Sequence, residues 1–168
     1  RTMYADMRDA LREAAAKPSV RAVLLTGGTE CFTSGNDVGD FRIRSETPDD
    51  STPTPARDYL YALRDCPKPV VAAVAGYAIG IGTTLLLHCD LVYAAENAVF
   101  RMPFVDLGLC PEGGSSLLVP QRAGQLMANE LLMLGEAFTP GMAVMAGLAN
   151  MGPPTRGLLP HAPRVARK

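Results

Sequence analysis

A chain of 168 residues, 48% hydrophobic and 20% charged, is long enough for one domain with its own core and ordinary in composition for a globular protein. Its formal net charge of −1, with no basic stripe interleaved with aromatics, removes the electrostatic basis for a nucleic-acid partner. The four cysteines (Cys31, Cys66, Cys89, Cys110) are scattered without a CxxC pair, so no metal site is expected and they read as reduced, mostly buried thiols of an intracellular protein.

The opening RTMYADMRDALREAAAK is an amphipathic helix and not a signal peptide, with Thr2 as cap and Met3, Met7, Leu11 and Ala14 forming the apolar stripe. Because the chain starts on Arg1, an upstream targeting segment stays open. Lys17 and Pro18 end the helix, and VRAVLLTGG predicts a buried strand from Val20 to Leu25 closed by a double glycine. ECFTSGNDVGDF reads as a polar loop turning into a short helical segment near Asp37. Residues 45–55, SETPDDSTPTP, hold nothing apolar to bury and predict a mobile surface loop. Arg57 to Arg64 form a helix that CPKP stops before a second buried strand, Val70 to Val74.

From Val70 to Leu87 no residue carries a formal charge, and Gly76 and Gly80 have the GxxxG spacing of packed membrane helices. A lipid-facing helix has no strong reason to carry Gly76, Gly80 and Gly82, each costing about 1 kcal/mol relative to Ala, and interfacial Trp and flanking basic residues are absent. The better expectation is a strand, a glycine-rich turn, and a buried helix starting near Gly80 or Gly82 and ending at His88, with no membrane span. LVYAAENAVFRMP then predicts two short strands around a turn at Glu96 and Asn97, and FVDLGLCPEGGSS a glycine loop with Glu112 at its apex. SSLLVPQRAG, QLMANELLMLGEAF and TPGMAVMAGLAN predict successive helices, with Leu126, Glu130 and Met133 illustrating the amphipathic spacing and Thr139 as a cap.

The chain changes character at Met151. MGPPTRGLLPHAPRVARK has four prolines, four basic residues, no carboxylate and no helical or strand period. Residues 1–150 are therefore expected to form the domain, and residues 151–168 a disordered tail that is not the native continuation of the fold, for instance after a shifted reading frame. A basic interaction tail is the functional alternative.

Three motifs in this order, CFTSGND, PKPVVAAVAGYAIGIG and FRMPFVDLGLCPEGGSS, resemble the crotonase (enoyl-CoA hydratase/isomerase) superfamily, and GEAFTPGMAVMAGLAN resembles its late helices. The resemblance implies an α/β fold, a spiral of repeated ββα turns around an acyl-CoA site. Against that pattern the first strands and the final helices are lacking, which reads as truncation at both ends. Those final helices usually help form the trimer and cover the acyl pocket. The resemblance also implies a full-length homotrimer or dimer of trimers, a cytoplasmic location, and an acyl-CoA thioester as substrate with no separate cofactor.

The chemistry shared by that family is stabilisation of a thioester enolate by two backbone N–H groups, each worth about 3 kcal/mol. By motif position these resemble the amides of Asn36 and Ile81. Isoleucine stands where the family usually has glycine; its N–H remains, and its side chain must find room. Ser34, Gly35, Asn36, Asp37, Val38 and Gly80 would line the CoA and thioester region. Hydratases of the family use two glutamates, and the corresponding positions here hold Thr84 and Phe104, neither of which accepts a proton at neutral pH. Glu112 in PEGG resembles the single base of the Δ3,Δ2-enoyl-CoA isomerase branch, and desolvation by Phe104, Leu109 and Leu117 would raise its pKa toward a useful range. As a plain structural residue, Glu112 would cap the following helix or sit in solvent.

Asp106 is a second proton-transfer candidate, and Asp37 a loop-bracing residue. His88 is expected to be structural, and Ser115 and Ser116 lack a His/Asp arrangement for nucleophilic hydrolysis. The expected function is thus conversion of 3-enoyl-CoA to 2-enoyl-CoA. The alternatives are hydration or another crotonase reaction, and a non-catalytic acyl-CoA-binding or scaffolding protein.

Overall fold

The computed structural model describes residues 2–37, 39 and 54–166. The Thr2 side chain, Val38, and nearly all of the predicted 45–55 loop lie outside the described residues.

Helix α1 (Thr2–Ala16) forms as expected and keeps its stripe from Met7 through Leu11 to Ala14, but Tyr4 takes the place of Met3 at its start. Tyr4 and Leu11 are buried and Met7 is half-buried, whereas Met3 is exposed. Strand β1 (Val23–Thr26) starts three residues later than predicted. Its parallel register with β3 (Val70–Val74) sets Val23 opposite Val70, so residues 20–22 would face Pro67, Lys68 and Pro69. Proline has no N–H to give to a ladder, and the pairing stops there. Helix α2 (Pro55–Arg64) begins on a proline at its first turn, where the missing N–H costs nothing, and packs against α1.

Short strands hidden in predicted turns organise the rest. After β3, buried at all five positions, the chain turns at Gly76. There φ is +64° and a Cβ would fall 2.0 Å from the Glu30 carbonyl oxygen, so only glycine lets the two segments meet. That contact sets β4 (Tyr77–Ile79) parallel to β2 (Cys31–Thr33), a strand within the predicted polar loop. Helix α3 (Ile81–Thr84) continues as a 3-10 turn, Leu85–His88, ending where the sequence predicts. The buried apolar run is therefore divided among two strands and one short helix.

Strands β5 (Leu91–Ala94) and β6 (Val99–Arg101) flank the predicted turn but belong to different sheets. Successive β3–β4–α3 and β5–β6 units thus place one strand in each sheet. A 3-10 turn (Val105–Leu107) leads to helix α4 (Ser115–Ala123), then α5 (Gln125–Asn129), which ends in a π-helical turn. Strand β7 (Ala137–Phe138) interrupts the predicted helix, and α6 (Pro140–Met145) is capped by Thr139, whose hydroxyl accepts the Met142 amide. Ala128 and Leu131 form the buried face of the α5 region, while Leu126 and Met133 are exposed, contrary to the spacing expected for them. Two cysteines also depart from expectation: Cys31 and Cys110 are exposed, and Cys89 is buried.

Among the described residues the sheets run β1-β3-β5-β8, all parallel and with Asn150–Met151 as β8, and β2-β4-β6-β7, with β7 antiparallel. Strand β8 (Asn150–Met151) and helix α7 (Thr155–Ala166) occupy the tail expected to lack structure. Leu158 and Ala162, one helical turn apart, are buried with Ala73, Ala75 and Ala95, and His161 meets the Tyr93 ring edge-on at 5.1 Å. Packing of that face outweighs the backbone cost of Pro160 and Pro163 inside the helix.

Candidate active site

Two glycine turns bring separate loops into contact. Gly35 follows β2 at φ +90°, and its amide donates to Thr33 Oγ1 at 3.2 Å. A Cβ there would lie 2.7 Å from the Ile79 carbonyl oxygen and 4.0 Å from Gly80 Cα. The SGN and AIG segments therefore touch through backbone, and glycine is required at position 35 both for conformation and for space.

Gly80, at φ +58° and ψ −118°, anchors the second loop. Its amide donates to the Arg101 carbonyl at 2.8 Å, and its carbonyl accepts Thr83 N at 2.9 Å and Thr84 N at 3.0 Å. The amides of Ile81 and Gly82 begin the helix and have no intrahelical acceptor. The Ile81 side chain finds its room in the core, at 1% exposure, so the residue presents backbone and not side chain to the cleft. The Thr83 hydroxyl donates to the Ala78 carbonyl, and the Arg101 amide donates to Thr83 Oγ1 at 3.3 Å, tying α3 to β4 and β6.

Glu112 approaches this point from the loop before α4. Gly113 and Gly114 both have left-handed φ, +65° and +70°. The Ser115 amide and hydroxyl donate to the Glu112 carbonyl at 3.1 and 2.6 Å. His88 Nε2 donates to the Gly113 carbonyl at 2.8 Å, which fixes Nε2 as the protonated nitrogen, and burial lowers the His88 pKa. His88 is thus a brace of the glutamate loop. A Cβ on Gly113 would stand 3.0 Å from Thr84 Oγ1, so the fully buried Thr84 lies directly beneath that turn. The Glu112 side chain is half-buried, and desolvation raises its carboxyl above the ordinary range.

Ser34, Gly35, Asn36, Gly80, Ile81 and Glu112 line one cleft of about 230 Å³, together with the buried Phe104 and the half-buried Leu109. Asn36 and Glu112 also border a second, larger cleft of about 580 Å³, walled by Leu60, Tyr61, Leu117 and Leu118. Asp37 is exposed, lies outside both linings, and accepts the Gly39 amide at 2.8 Å, a local brace. Val38 is outside the described residues. Asp106 does reach the first cleft, but it forms a 2.6 Å ion pair with Arg101, whose Nε donates to the Gly135 carbonyl. An aspartate so engaged is poorly disposed to shuttle protons. Arg101 was not legible as a site residue, because nothing in RMP alone marks a cation that braces a cleft wall. Among the described residues no group of three His, Cys, Asp or Glu could hold a metal ion, and no helix is long and apolar enough to cross a membrane.

Known proteins resemble this chain in sequence and in fold. The sequence model of enoyl-CoA hydratase/isomerase matches residues 1–168. The human protein named enoyl-CoA delta isomerase 2 is 37% identical over 155 residues, covering 88% of this chain and 38% of its own. The 2,3-dehydroadipyl-CoA hydratase of Escherichia coli (strain K12) is 34% identical, covering 94% of this chain and 61% of its own. The solved structure of Pseudomonas aeruginosa OdaA superposes with a TM-score of 0.90 at 51% identity, covering 99% of this chain and 66% of that one. The chain therefore spans between about four-tenths and two-thirds of the length of these relatives. With its ββα units, its paired glycine turns and a family match running from end to end, the chain belongs to the enoyl-CoA hydratase/isomerase (crotonase) family, with the α/β fold of that family.

Proposed function

We propose that the full-length protein moves the double bond of a 3-enoyl-CoA to the 2-position through a thioester dienolate. The observation that carries this reading is the pairing of one available carboxylate, Glu112, with the Asn36 and Ile81 backbone in the same cleft. Thr84 and Phe104 fill, as buried non-acids, the positions where a hydratase would need its glutamates.

In this reading the amides of Asn36 and Ile81 receive the thioester oxygen, where charge develops as C2 loses its proton. Each donor contributes about 3 kcal/mol to that transition state. Glu112 takes the C2 proton and returns it at C4, so a single carboxyl suffices and no proton is gained or lost overall. Desolvation of Glu112 moves its pKa toward neutrality, which improves a carboxylate as a base. Ser34, Gly35 and Gly80 flank the thioester, and the second cleft takes the acyl chain. The trimer or dimer of trimers implied by the family resemblance is the corresponding proposal for the assembly.

The test is a 3-enoyl-CoA isomerase assay on the full-length protein and its Glu112→Ala variant. Loss of activity by at least about 100-fold is expected for removal of a general base. Retained activity in the variant removes Glu112 from the mechanism. Water addition to crotonyl-CoA without isomerisation would replace the reading by hydration, and calorimetric acyl-CoA binding without any turnover by a non-catalytic role.

A further inference from the structure

The second cleft contains a helix start that its own sequence leaves uncapped. Thr54 stands at the cap position of α2, where a threonine ordinarily accepts the amide two or three residues on. Here its side chain caps nothing, and its hydroxyl is buried without a hydrogen-bond partner in a residue only 7% exposed. Pro55 brings no N–H, and the Asp58 amide donates to the Thr54 carbonyl at 3.0 Å. The Ala56 and Arg57 amides therefore remain as first-turn donors with no intrahelical acceptor. Thr54, Ala56 and Arg57 all line the cleft. A buried hydroxyl left unpaired is costly, and an occupant of the cleft that accepts from it removes that cost.

Charge around this end favours an anion. Arg57 and Arg64, about two turns apart on α2, both line the cleft, and Asp65 takes only the Nε and Nη2 edge of Arg64. The acid of the first turn, Asp58, is not part of the lining and faces Arg8 of α1 at 3.8 Å. Among the described residues Glu112 is the one carboxyl in the lining, and it comes from the loop before α4. The walls contributed by Leu60, Leu117 and Leu118 are apolar. Resting on the assignment of this cleft to the acyl chain, we propose that the acyl group of the substrate ends in a carboxylate, bound at the start of α2. The Thr54 hydroxyl and the Ala56 and Arg57 amides donate to it, and the Arg57 guanidinium and the positive end of the helix offset its charge. The leucine walls take the hydrocarbon between thioester and carboxylate. A plain alkyl tail would suit those walls as well, but it would leave the Thr54 hydroxyl unpaired and strip water from the helix start.

The test is calorimetric binding of saturated thioesters, which cannot isomerise, to the full-length protein: adipoyl-CoA against hexanoyl-CoA, and suberoyl-CoA against octanoyl-CoA. The CoA portion is identical within each pair, so the ratio of dissociation constants reads the terminal carboxylate alone. The wild type should favour the carboxylate-ended member of at least one pair by about tenfold or more, as expected for charge-assisted hydrogen bonds. Arg57→Gln should reduce that ratio about tenfold and Thr54→Val, which keeps the shape and removes the donor, about fivefold. Arg57 is exposed, so its variant serves should Thr54→Val fold poorly. Ratios near one for both pairs in the wild type overturn the inference, and so does a preference that survives Arg57→Gln and Thr54→Val alike. Equal loss of affinity for both members of a pair would assign the bound anion to the CoA phosphates and overturns it too. Isomerase assays of 3-hexenedioyl-CoA and 3-hexenoyl-CoA run beside these. A carboxylate preference in binding without turnover of either ester keeps the subsite and removes the proposed reaction.

Discussion

Gly35 is where the proposed site is most exposed to a single added carbon. In Gly35→Ala the new Cβ would stand 2.7 Å from the Ile79 carbonyl oxygen, while ordinary contact begins at 3.4 Å, so the loops must part by 3.4 − 2.7, or about 0.7 Å. The atom struck is backbone, so no side-chain rotation relieves it. The φ of +90° adds the cost of a non-glycine residue there, about 1–2 kcal/mol. The displacement acts directly between Asn36 and Ile81, whose amides would share one oxygen. A shift near 1 Å in a reacting geometry costs about 100-fold, similar to the loss of one oxyanion donor.

The assay is deuterium exchange at C2 of a bound saturated acyl-CoA, which reports enolate formation whatever the final product, alongside urea unfolding. Gly35→Ala should lose about 100-fold in exchange while remaining folded, with a stability loss of about 2 kcal/mol. Gly108→Ala is the control. Gly108 also has a left-handed φ, +63°, but its Cβ would meet nothing within 4 Å and it lines neither cleft. It should lose about 1 kcal/mol and keep its exchange rate. Wild-type exchange in a folded Gly35→Ala would refute the claim that contact between these two loops sets the catalytic geometry.

The pH dependence of stability offers a second check. The Glu112 carboxyl is raised by desolvation above its unfolded value, so its stabilising contribution is present below the ordinary carboxylate range and is lost as pH rises through the folded pKa. Glu112→Gln should therefore unfold at a higher temperature than wild type at neutral pH, the advantage vanishing under acid conditions; equal curves at both would contradict the desolvated environment. In the tail, Leu158→Ala should cost about 2–5 kcal/mol in urea unfolding, because the side chain is 1% exposed between α7 and the sheet. A change within about 0.5 kcal/mol, as for a surface position, would mean that α7 does not pack there in solution.

What could be read from the sequence depended on how local its cause was. The β3 strand and the end at His88 of the 3-10 turn that continues α3 are legible because short β-branched runs and glycine punctuation act over a few residues. Strands β2, β4, β7 and β8 were not, since each has only two or three residues and exists through a partner distant in the chain. The start of β1 depended on prolines more than forty residues away that spoil its partner's ladder. Helix α7 was concealed by its two internal prolines, although Leu158 and Ala162 already carry the four-residue spacing that docks it. Tyr4 does not stand out in the sequence because Met3 and Met7 make the more obvious stripe, and its burial is set by packing.

The proposed site reads more plainly from the sequence than the fold does, because the chemistry proposed for it rests on backbone. An oxyanion hole made of amides requires glycine where the chain must bend and permits almost any side chain where an N–H is presented. Gly35 and Gly80 are thus written into the sequence, while Ile81 can replace a smaller residue by sending its side chain into the core at 1% exposure. The identity of the reaction has the opposite logic, because it depends on which side chains reach the cleft charged. A glutamate at Thr84 would meet a fully buried position against Gly113, with no described cation to pair it, and burying an uncompensated charge costs several kcal/mol. The core beneath Gly113 therefore opposes a second catalytic carboxylate there. The packing of Gly113 over Thr84 thus supports the proposed reading, in which Glu112 alone moves one proton between two carbons.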